Sequence, residues 1–98
     1  MSFEEFKATL TAPAAPPGLS FPLQALWHDG RGDWDGAHHA TQQDNGRPGS
    51  WVHAYLHRKE GDVGNAGYWY ARAGRSMPPD SVALEAEWEE IARELLAG

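Results

Sequence analysis

Residues 51–74 read WVHAYLHRKEGDVGNAGYWYARAG, and this stretch decides the fold. Trp51, Val52, Tyr55 and Leu56 recur on one face of a helix, predicted from Trp51 to about Glu60 with Ser50 as its N-cap. Gly61 is the residue type that stops a helix in the left-handed conformation, and Asp62 can cap a second helix over Val63–Ala73. Gly74 ends that second helix. Val63, Ala66, Tyr70 and Ala73 fall at i, i+3, i+7 and i+10 and form its expected buried face. Tyr68 and Arg72, four residues apart, share a face directed outward. Two helices joined by so short a turn pack antiparallel, as a helical hairpin.

The same pattern stands 29 residues earlier. Ala25 aligns with Ala54, His28 with His57, Gly32 with Gly61, Asp33 with Asp62 and Ala37 with Ala66. The matched residues have hairpin jobs: a Gly stop, an Asp cap and a small Ala where two helices cross. The first hairpin therefore runs from a Ser20-capped helix with Leu19, Leu23, Leu26 and Trp27, ending near Asp29, into a helix over Trp34 to about Gln43. The inner face of that second helix is Ala37, Ala40 and Thr41. Asp44-Asn45-Gly46-Arg47-Pro48-Gly49 is turn chemistry linking the two hairpins.

Beyond the hairpins, Leu84, Trp88, Ile91 and Leu95 predict a capping helix from about Ser81 to Leu96, with acids on the other face. At the other end, Phe3, Phe6 and Leu10 mark a short N-terminal helix, followed by a Pro-rich linker to Gly18. The expected architecture is all-α: two stacked antiparallel hairpins, a C-terminal capping helix and a short N-terminal helix. Residues 1–18 form the helix and linker, and residues 19–98 the helical-repeat domain.

Ala66-x-x-Trp69-Tyr70-x-x-Ala73 resembles the second helix of Sel1-like repeats, relatives of the tetratricopeptide repeat (TPR). The run from Trp51 to Gly74, with His53-Ala54-Tyr55-Leu56-His57-Arg58 and Glu60-Gly61-Asp62, is similar to a family of small, mostly bacterial proteins without an assigned function. The 29-residue period is shorter than a Sel1-like unit, and the first hairpin lacks the Trp-Tyr pair. The resemblance implies the helical-hairpin architecture and brings no catalytic residue with it.

Composition narrows the function. With 41% hydrophobic residues and five Trp in 98, the chain has material for one packed core. It has no cysteine, which excludes disulfides, thiolate metal sites and Cys nucleophiles. Eight basic residues against fourteen acidic give a net charge of −6, which disfavours nucleic acid and anionic membrane surfaces as partners. The opening residues lack the basic start and apolar run of a signal peptide, so a cytoplasmic protein is expected.

The candidate chemistry is sparse. His53 and His57, one helical turn apart, have a spacing that can chelate a metal, with His38 and His39 or Glu60 and Asp62 to complete a set. The H-E-x-x-H pattern needs Glu where Ala54 stands. His57, matching His28, is read instead as bonding a backbone carbonyl near a helix C-terminus. No metal site and no cofactor are expected. Asp33 and Asp62 are read as N-caps, and the glutamates of the last helix as a solvated face. The five Trp are expected to fill inter-helix gaps.

The expectation is therefore a non-enzymatic interaction module for a peptide, partner protein or small anion. Its groove would be lined by His53, His57, Arg58, Tyr68, Arg72 and Arg75. The alternatives are a metal-dependent or His-based enzyme using His53 and His57 with Glu60 or Asp62, and a structural subunit of an oligomer. Oligomeric state is not legible in the chain.

Overall fold

A helical hairpin needs a sharp stop, a cap and a small residue at the crossing, and both predicted turns supply them in the same geometry. The computed structural model describes residues 1–98. Gly32 and Gly61 take φ of 81° and 88°, which favours glycine. Asp33 N–H donates to the His28 carbonyl and Asp62 N–H to the His57 carbonyl, each at 2.9 Å. The same carboxylates cap the next helices, accepting from Gly36 N at 2.9 Å and Asn65 N at 3.3 Å. Ala37 and Ala66 are fully buried where the paired helices meet.

The chain is helical over 67% of its length, in six α-helices and one 3-10 turn (Thr9–Thr11), with no strand. They are α1 (Phe3–Ala8), α2 (Phe21–Gly30), α3 (Trp34–Thr41), α4 (Arg47–Glu60), α5 (Val63–Ala73) and α6 (Leu84–Ala97). The tightest pairs are α2 with α3 and α4 with α5, the two hairpins. Helix α6 packs on α2 and α4, and α1 packs on α6. No helix is long and apolar enough to cross a membrane.

Two helix starts differ from expectation. Helix α4 begins at Arg47, so Ser50 is a buried residue inside the helix and not its cap. Asp44 causes this: its carboxylate accepts from Gly46 N at 2.8 Å and from Gly49 N at 3.1 Å. A Cβ on Gly49 would stand 2.4 Å from the Asp44 carbonyl oxygen, so only glycine fits that approach. Helix α6 starts at Leu84 and not near Ser81, with the Arg58 guanidinium taking the Val82 carbonyl just before it.

One core runs through the molecule. Phe6, Leu26, Val52, Leu56, Tyr70 and Ile91 are among its fully buried side chains. The N-terminal helix shares that core: Phe3 and Phe6 lie against the Trp88 ring, at centroid distances of 5.9 and 5.7 Å. Trp88 in turn donates its indole N–H to the Leu26 carbonyl at 3.0 Å. The Pro-rich linker is strapped down by Arg31, which donates to the carbonyls of Leu10 and Ala12. Val63 departs from its expected place and is exposed at the start of α5.

Candidate functional site

Helix α3 delivers one imidazole and α4 delivers two to the same spot. His38 Nε2 lies 2.9 Å from His53 Nε2, one of the two nitrogens carrying the shared proton. His57, one turn beyond His53, stacks against it with centroids 4.8 Å apart. The sequence spacing implied only the His53–His57 pair; His38 completes a set of three. His39, its neighbour, is exposed on the other side of α3.

Two indoles, a carboxylate and an amide hold the rings. Trp34 stacks on His38 at 4.9 Å and 9°, and its indole N–H donates to the Leu56 carbonyl at 3.0 Å. Trp69 of α5 covers His53 at 3.9 Å and 17°. Trp34 and Trp69 are thus half-buried walls of the histidine cluster, whereas Trp27, Trp51 and Trp88 are core residues. His57 Nδ1 bonds the Glu60 carboxylate at 2.6 Å, and its Nε2 faces the Asn65 amide nitrogen at 3.3 Å. A carboxylate accepts and an amide nitrogen donates, so His57 carries its proton on Nδ1 and a lone pair on Nε2. The expected backbone partner of His57 is therefore replaced by two side chains.

Burial sets the charge state here. Burial, followed by repulsion from His38 and His57, pushes His53 down to about 4. His38 is lowered as well, first by burial and then by His57. At neutral pH these two rings are uncharged, the form that donates lone pairs.

The six residues expected to line one groove lie in four places. His53 and His57 belong to the cluster just described. Arg58 turns away from it into a buried ion pair, with Nη1 2.8 Å from Glu87 Oε1. Tyr70 donates to the other Glu87 oxygen at 2.6 Å, and burial followed by that bond raises its phenol. Arg75 lies 3.4 Å over the Trp51 ring and pairs with Glu94. Tyr68 and Arg72 face outward as expected. Tyr68 is 55% exposed and accepts from Arg72 Nη1 at 3.3 Å. The Arg72 guanidinium also sits 5.1 Å from the Trp69 ring, which joins this pair to the histidine cluster.

One buried carboxylate corrects the sequence reading, and a second, Asp29, is given no role by it. Glu87 is only 2% exposed, although the glutamates of α6 were expected to form a solvated face. The signal was present: Leu84, Glu87, Trp88 and Ile91 lie at i, i+3, i+4 and i+7, one helical stripe. Asp29 is also buried, bonded by Tyr55 at 2.9 Å and Lys59 at 2.9 Å. That ion pair borders a cleft of about 310 Å³ beside α1 and α6, which holds none of the six residues.

No protein-family model matches the chain, and no curated protein or solved structure is significantly similar to it.

Proposed function

We propose that the chain is a non-enzymatic interaction module of the Sel1-like or TPR type, whose outward α5 face binds an acidic peptide segment of a partner protein. The observation that carries this reading is the state of Arg72. Arg58, Lys59, Arg75 and Arg93 are each paired with a carboxylate and Arg31 holds two backbone carbonyls; of the exposed cations without an ion pair, Lys7, Arg47 and Arg72, it is Arg72 that lies against aromatic rings, those of Tyr68 and Trp69. A guanidinium held by a hydroxyl and flanked by aromatics is suited to a planar carboxylate, which it can grip with two N–H groups. Tyr, Trp and Arg together are also the residue types that carry most binding energy at interfaces. The stacked hairpins supply a rigid support, as in helical repeats.

The test is an array of short peptides, acidic, neutral and basic, probed with the purified protein. Binding concentrated on the acidic members, and lost in Arg72→Ala with the fold intact, supports the reading. Binding without acidic preference, or unchanged in Arg72→Ala, removes it. A second reading, a metal-dependent or His-based enzyme, draws its support from the convergence of His38 on the His53–His57 pair.

A further inference from the structure

His38, His53 and His57 each present a ring nitrogen, and the three nitrogens lie within 4.8 Å of one another. We propose that these imidazoles form a binding site for one divalent transition-metal ion of the zinc class, held through their Nε2 atoms, with Glu60 as the carboxylate behind His57. The inference does not depend on the peptide-binding reading and uses neither Tyr68 nor Arg72.

The His38–His53 pair needs little change to close on an ion, and the His57 nitrogen, within 4.8 Å of the other two, has to move closer by up to about 1.5 Å. Tetrahedral zinc at a Zn–N distance of about 2.0–2.1 Å places two ligand nitrogens about 3.3 Å apart. His38 and His53 already stand at 2.9 Å, so the two rings have to part by only about 0.4 Å. The ion takes the place of the proton they share, and the ring that donated that proton becomes the Nδ1–H form. His57 is already in the required tautomer, since Glu60 holds its Nδ1–H and leaves the Nε2 lone pair free to donate. A carboxylate on the far nitrogen of a histidine ligand is the usual way such ligands are oriented. Asn65, which now faces that lone pair, is exposed and can turn to solvent.

The donor set selects the class of ion. Three neutral nitrogens suit zinc, copper or nickel, whereas calcium and magnesium require oxygen ligands. Trp34 and Trp69 fix the planes of His38 and His53, which limits the reorganisation that binding demands. Three protein ligands leave the fourth tetrahedral position for water or for a group from a ligand. His38 is the half-buried member, so the set opens to solvent on its side.

The experiment uses tag-free protein titrated with zinc and with cobalt(II), followed by calorimetry and visible absorption. One ion per chain, with the intense visible bands of tetrahedral cobalt, is expected. Affinity should fall at least 100-fold in His38→Ala and His57→Ala, about 10- to 100-fold in Glu60→Gln, and not at all in His39→Ala. Should the alanine variants lose helicity, cobalt-induced shifts of the His38, His53 and His57 ring resonances in the wild-type protein identify the ligands directly. Absence of saturable one-to-one binding, or shifts confined to other histidines, overturns the site.

Discussion

Trp69 lies flat on His53, with ring centroids 3.9 Å apart and planes 17° from parallel. This contact joins α5 to α4 and closes the histidine cluster on one side. Trp69 also carries the Arg72 guanidinium near its ring, so one indole contacts both the buried His53 imidazole and the exposed arginine.

Removing that indole should loosen the hairpin. Trp69→Ala gives up a half-buried aromatic and its stacking, and we expect a loss of about 2–3 kcal/mol. Urea denaturation measures it. A midpoint unchanged from wild type would show that the stack contributes nothing to packing.

Acid should weaken the fold through His53. Its pKa is about 4 in the folded chain, against about 6.5 when unfolded, so between these values the unfolded state binds more protons. Stability therefore rises with pH through this window and is lost as pH falls from about 6.5 toward 4, by up to about 3 kcal/mol from this group. His53→Gln should show a flatter stability profile between pH 7 and 5 than wild type. Parallel profiles would contradict the depressed value.

Glu87 should behave unlike its neighbours on α6. Glu87→Ala strands the Arg58 charge and the Tyr70 hydroxyl in a buried position, a loss of about 3–5 kcal/mol. Glu90→Ala, on the exposed face, should stay within about 0.5 kcal/mol. Equal effects in the two variants would place Glu87 in solvent.

The turns should tolerate little. Gly61→Ala forces a side chain into positive φ and should cost about 1 kcal/mol, and Ala66→Leu should overpack the crossing by about 1–3 kcal/mol. Tyr68→Ala, by contrast, should leave the denaturation midpoint within about 0.5 kcal/mol of wild type, because its ring is outside the core.

The legible parts of the chain were those governed by local chemistry. A glycine stop followed by an aspartate cap is written in consecutive residues, and α5 runs over Val63–Ala73 as the sequence predicts. The start of α4 was illegible because Asp44 acts across the turn on Gly46 and Gly49, and turn residues there mimic a loop. Spacing leaves His38 as one of several possible additions to the pair, since the face of α3 that meets α4 is set by packing. Glu87 lay in the apolar stripe of α6, but its charge argued for solvent. With Glu87 expected in solvent, the sequence shows no partner for Arg58 and leaves it free for a ligand.

Imidazole 15N resonances, followed by long-range proton–nitrogen correlation across pH, test the central arrangement most directly. A cluster built as described gives His57 as the Nδ1–H tautomer and His53 titrating near 4, with His38 also below the ordinary histidine value. If His38 and His53 both titrate independently near about 6.5, and His57 carries its proton on Nε2, the three rings do not converge and the cluster does not exist.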